Sequence, residues 1–119
     1  MSRWRVTVRT GPKVERVKAE SLDAALDALE LHARAAANTE RRAPVDLRVR
    51  RYEPGDQIAV RAELRGPGVF AGVDVRGDGS VGAWTGRVRR RAVEPTDDES
   101  PYEALRRVVS ARASIRPAP

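Results

Sequence analysis

The sequence predicts an α+β domain in which one antiparallel sheet carries two helices on a single face. Three observations predict it. Several segments alternate apolar and polar residues with period two. Two others place apolar residues at steps of three and four, each behind a helix-capping residue. The strand-like segments follow one another through short turn sequences, as in an antiparallel sheet rather than a run of βαβ units. The element order reads β-β-α-β-β-β-β-α.

The first strand covers 4–9. Trp4, Val6 and Val8 share one face, and Arg5, Thr7 and Arg9 share the other. Gly11-Pro12 breaks it, and a return strand over 13–19 runs through Val14 and Val17, where the alternation slips. Ser21 opens the first helix as its cap, with Asp23 facing the positive end of the helix dipole. Leu22, Leu26, Leu29, Ala33 and Ala36 form one apolar stripe, and Glu30 and Arg34 form an i,i+4 ion pair. Asn38 is the expected stop.

Two hairpins follow. Val45, Leu47 and Val49 alternate with Asp46, Arg48 and Arg50, and Ile58, Val60, Ala62 and Leu64 alternate with Ala59, Arg61 and Glu63. A two-residue turn at Pro54-Gly55 would set Val49 against Val60, Leu47 against Ala62 and Val45 against Leu64. After Gly66-Pro67-Gly68, residues 69–76 alternate again. Asp78-Gly79 signals a tight turn that would set Val75 against Gly82, Val73 against Trp84 and Val69 against Val88. Trp84 would then face the helices, with Arg87 and Arg89 on the opposite face.

Ser100-Pro101-Tyr102-Glu103 is a capping box with proline at the first helical position. The second helix then buries Tyr102, Leu105, Val108 and Val109, with the stem of Arg112 alongside. This helix start behind a sheet loosely resembles ribosome-hibernation and double-stranded-RNA-binding folds. The hairpin before the first helix departs from both, as does the lack of lysine-rich helix starts, and a fold analogy does not carry function.

With 119 residues the chain suits a single domain over 1–113, with 114–119 as a flexible tail. It has no cysteine, which excludes disulfides, thiol catalysis and thiolate metal sites. His32 is the single histidine, so no multi-histidine metal centre can form. The first residues have no apolar segment of the kind a secretory signal needs, and no run reaches the ~18 apolar residues of a membrane span. A cytoplasmic location without membrane contact is the expectation.

The formal net charge is +6, and of the 23 basic residues only Lys13 and Lys18 are lysine. The charge is segregated. Residues 19–40 and 94–103 are acidic and coincide with the first helix and the approach to the second. The basic blocks coincide with the strands. A GC-rich coding bias accounts for the choice of arginine but not for its placement.

Catalytic readings fail on chemistry. A nucleophilic serine needs a base within reach, and His32 lies on the flank of the first helix. The stretch Asp74 to Thr85 has arginine where a calcium loop needs an oxygen ligand at its third position and threonine rather than glutamate at its twelfth, so a hairpin turn explains it. Arg76-Gly77-Asp78 reads as part of the same turn. Asp97, Asp98 and Glu99 precede a helix start, where negative charge is favoured. The glycines lie between strands rather than before a helix, which excludes a nucleotide-binding loop.

What remains is the arginine face. By alternation Arg5, Arg9, Arg48, Arg50, Arg61, Arg76, Arg87 and Arg89 point away from the helices, and Arg48 would stand opposite Arg61. Like charges directly opposed destabilise a strand pair. The expectation is therefore a non-enzymatic module, with no cofactor or metal, that binds nucleic acid or another polyanion through Arg48, Arg50, Arg61, Arg87 and Arg89. The alternative is a protein-interaction or homodimerisation module using a sheet face or edge.

Overall fold

The computed structural model describes residues 3–42 and 58–115. Strand β1 (Trp4–Thr10) turns through Gly11 and Pro12 into β2 (Lys13–Ala19). Gly11 has φ 59°, the left-handed value that the first turn position of a tight hairpin needs and proline at the second allows. Helix α1 (Leu22–Arg42) follows, then β3 (Ile58–Gly66), β4 (Val69–Arg76), β5 (Val81–Thr85), β6 (Arg91–Val93) and helix α2 (Pro101–Ile115). The strands make one antiparallel sheet in the order β2-β1-β3-β4-β5-β6. Helix α1 lies over β1 and β3, and α2 over β4 and β5. One cluster of buried side chains unites Val6, Val8, Ala62, Leu64, Val73 and Ala83 of the strands with Leu26 and Leu29 of α1 and Leu105 and Val109 of α2. The fold class is the expected one.

Helix α1 is capped as its sequence dictates: Ala24 N–H donates to Ser21 Oγ at 3.1 Å. It continues past Asn38 to Arg42, because an asparagine costs a helix only a fraction of a kcal/mol and stops it only in concert with other signals. The capping box of α2 forms in full, with Ser100 N–H donating to Glu103 Oε1 at 2.9 Å and Glu103 N–H to Ser100 Oγ at 3.1 Å. The helix reaches Ile115, past the expected tail boundary at 113. Residues 116–119 of that tail lie outside the described residues. The helices are joined by Arg34, whose guanidinium sits 4.6 Å from the centre of the Tyr102 ring, and by Arg106, which bridges Asp23 and Asp27.

Two register expectations are corrected. The strand expected over 45–50 lies outside the described residues, but its expected partner is already paired on both sides. Ala62 stands between Val8 and Val73, and Leu64 between Val6 and Ala71. The sheet centre is thus closed by β1, brought beside β3 by the long α1 connection, rather than by a local hairpin.

The second correction concerns β4 and β5. Arg76 N–H donates to Ser80 O at 2.8 Å, and Gly79 N–H donates to Arg76 O at 2.9 Å. The loop therefore holds three residues, Gly77-Asp78-Gly79, and closes on a left-handed glycine with φ 91° at Gly79. One extra loop residue shifts the pairing by one, which moves every β5 side chain to the other face. Val73 meets Ala83, and Trp84 meets Gly72 on the face away from the helices. The expected long last strand is also divided. It ends at Thr85, residues 86–90 form a connection that begins at left-handed Gly86, and β6 resumes at Arg91.

Candidate anion-binding surface

Because side chains alternate across a strand, one set of cross-strand rows faces away from the helices. The register gives three such rows. The first runs Lys18, Arg5, Arg65, Phe70. The second runs Arg16, Thr7, Glu63, Gly72, Trp84, Ala92. The third runs Val14, Arg9, Arg61, Asp74, Gly82. Arg76 reaches over Gly82, where an added Cβ would stand 2.9 Å from its Nη2.

Among the described residues, carboxylates neutralise only part of this face. Arg61 Nε donates to Asp74 Oδ1 at 2.9 Å, directly across the β3–β4 ladder. Arg90 Nη2 lies 3.8 Å from Glu63 Oε1. The first row contains no carboxylate, and its three cations Lys18, Arg5 and Arg65 are all exposed. Adjacent strands are ~4.8 Å apart, so these side chains rise from backbones roughly one strand spacing apart. Arg9 and Arg61 are also directly opposed.

Beside the cations lies an aromatic seat. Gly72 has no side chain, and the Trp84 ring occupies the space: a Cβ there would fall 2.6 Å from Trp84 Cζ2. Phe70 lies 5.8 Å away, centroid to centroid. The Arg90 guanidinium covers the indole at 4.0 Å, a cation–π geometry. Trp84 is consequently 5% exposed, and its Nε1 has no hydrogen-bond partner among the described residues.

The expected site residues distribute as follows. Arg61 lies on the outer face at the middle of the sheet. Arg87 and Arg89 are exposed in the β5–β6 connection rather than on a strand, and Val88 between them is 93% exposed. Arg48 and Arg50 lie outside the described residues. The like-charge opposition expected of Arg48 and Arg61 is found instead at Arg9 with Arg61 and at Arg5 with Arg65. Arg65, Arg16 and Lys18 join the surface in addition to the expected residues. Arg65 continues the step of two from Arg61 and Glu63, which was a usable signal. Arg90 carried none, since its place depends on where β5 ends.

Among the acidic groups outside this face, Asp78 and Glu99 serve local structure. The Ser80 hydroxyl and amide donate to Asp78 Oδ1 at 2.7 and 2.9 Å, holding that carboxyl below its ordinary range. Glu99 accepts from Arg107 Nε at 2.8 Å and from the Thr96 amide at 3.0 Å, which lowers its pKa to about 2. His32 Nδ1 lies 2.8 Å from Glu15 Oε1 on the edge strand. No group of three or more His, Asp or Glu side chains able to hold a metal occurs among the described residues. No helix among them is long and apolar enough to cross a membrane. Comparison with protein-family models, curated proteins and solved structures finds no match.

Proposed function

We propose that this chain is a non-enzymatic binding module that holds a polyanion, in the first place nucleic acid, on the open face of its sheet. The observation that carries the reading is the row Lys18–Arg5–Arg65, three exposed cations on neighbouring strands with no carboxylate between them. Opposed like charges cost a sheet stability, and an anionic ligand offsets that cost. Arg9, Arg16 and Arg76 widen the surface, and Arg87 and Arg89 extend it along the sheet end. Trp84 and Phe70 add an aromatic element beside it, although Arg90 must swing away before a base could stack on the indole.

The homodimer alternative draws less support from the edges. Strand β2 carries Lys13, Glu15, Arg16 and Lys18, and β6 has three residues; charge and shortness both discourage edge pairing.

The test is binding of a labelled oligonucleotide at increasing salt. If Lys18, Arg5 and Arg65 each neutralise one phosphate, the log–log slope is about −2.1 to −2.7, so affinity falls roughly 20- to 40-fold between 50 and 200 mM salt. Arg65→Gln should weaken binding and reduce the slope by about one. Absence of binding at low salt, or binding indifferent to salt, overturns the reading. A doubled mass in light scattering without oligonucleotide binding favours the dimer.

A further inference from the structure

At the end of the sheet where β3 turns into β4, an open groove of about 290 Å³ separates this hairpin from the second half of α2. Its walls include Val69 and Val109, which belong to the buried cluster, and the half-exposed Val108. Its rim carries Arg65 from β3, Arg87 from the β5–β6 connection and Arg112 from α2. No carboxylate lines it among the described residues. Three cations from three separate elements thus line one cleft whose surface is part polar and part apolar.

We propose that this groove is a binding site for a small organic anion, a carboxylate or a phosphate monoester on a short apolar body. Guanidinium groups bind either head through paired N–H···O bonds, and a cleft partly screened from water strengthens them. The half-exposed Val108 and the other apolar atoms of the lining take the apolar body. The volume sits at the lower limit of small-molecule sites, which span roughly 300–1,000 Å³, so the occupant is the size of a substituted single ring. The proposal does not rest on polyanion binding by the open sheet face. Arg65 and Arg87 stand on both surfaces, whereas Arg112 belongs to the groove alone.

The experiment is amide chemical-shift titration of the whole chain with phenyl phosphate, benzoate, inorganic phosphate and benzyl alcohol. Phenyl phosphate or benzoate should shift the amides of Val69, Gly86 and Val109 saturably, with millimolar or tighter dissociation. Inorganic phosphate lacks the apolar body and benzyl alcohol lacks the charge, so each should bind about tenfold more weakly or worse. Arg112→Gln, at an exposed position, should weaken phenyl phosphate about fivefold or more. Arg9→Gln, far along the sheet, should leave it unchanged. Equal binding of inorganic phosphate, indifference to Arg112→Gln, or no saturable shift by about 10 mM each overturns the proposal. Oligonucleotide binding is read separately with Arg9→Gln and Arg112→Gln, so either conclusion can fail while the other stands.

Discussion

Replacing Gly72 by alanine tests the placement of Trp84 on the open face. The new Cβ would stand 2.6 Å from Trp84 Cζ2, about 1 Å inside ordinary carbon–carbon contact, and would also press on the Ala62 carbonyl. The indole must tilt out from under Arg90 or the strands must part. Complete expulsion would expose roughly 150–250 Å² of aromatic surface, which at ~25 cal/mol per Å² is about 4–6 kcal/mol. A partial tilt with some overpacking places the expected loss at about 2–4 kcal/mol. Urea unfolding measures it, with Trp4→Phe as background so that emission comes from Trp84 alone. The native emission of Gly72→Ala should shift to the red. Since the Ala62 contact would contribute wherever the indole lay, the deciding measurement is a double-mutant cycle with Trp84→Leu, its unfolding curves followed by circular dichroism. Removing the ring should lower the cost of Gly72→Ala by about 1 kcal/mol or more. Additivity within about 0.5 kcal/mol would refute the three-residue loop and the register derived from it.

Three further outcomes follow from the same geometry. Ser100→Ala removes the hydroxyl that accepts from Glu103 N–H, keeps the backbone N–H that donates to Glu103 Oε1, and should cost about 1 kcal/mol in chemical unfolding, with Ser100→Asp recovering most of it. Glu99 has a folded pKa of about 2 against an ordinary 4.5, so its contribution is complete above pH 4.5 and is lost as pH falls towards 2; the stability gap between wild type and Glu99→Gln should therefore close across that window in acid-unfolding curves. Asp74→Asn leaves Arg61 facing Arg9 without its carboxylate and should tighten oligonucleotide binding at low salt while lowering stability slightly, as read by anisotropy and urea melts.

What the sequence disclosed divides along the range of the interactions that decide it. The caps at Ser21 and Ser100, the Glu30–Arg34 pair and the two faces of β1 are settled by neighbours a few residues apart, and all appear as expected. The slip in alternation on β2 has a tertiary cause: Glu15 faces the helix side, yet on an edge strand it meets His32. Registers were less legible. The faces of β5 hinged on whether the loop at Asp78-Gly79 held two residues or three, and both loop types accept glycine at that point. Pairing of β3 with β1 is non-local, and a self-consistent hairpin with 45–50 satisfied the same apolar pattern. The candidate surface was legible as a class, because outward positions on strands are rich in arginine, but its members were not. Arg65 needed only continued counting, whereas Arg90 and the arginines of 86–90 depended on the end of β5.

The distribution of charge on the two faces bears on why these arginines sit where they do. Three cations of the helix layer are answered: Arg106 reaches Asp23 and Asp27, Arg107 reaches Glu99, and Arg34 reaches Glu30. On the sheet face the same residue type is treated unequally. Arg61 and Arg90 face Asp74 and Glu63, and these two carboxylates stand in the second and third rows, beside the aromatic seat. The first row has none, although alternation leaves every one of its positions free to carry one. A coding preference for arginine acts on all positions alike and does not account for a row without a carboxylate among the described residues. Exposed ion pairs contribute little stability, so the first row costs the fold only a fraction of a kcal/mol per opposed pair. That cost is small enough to persist without help and large enough that a phosphate set across Arg5 and Arg65 would find the face already arranged for it.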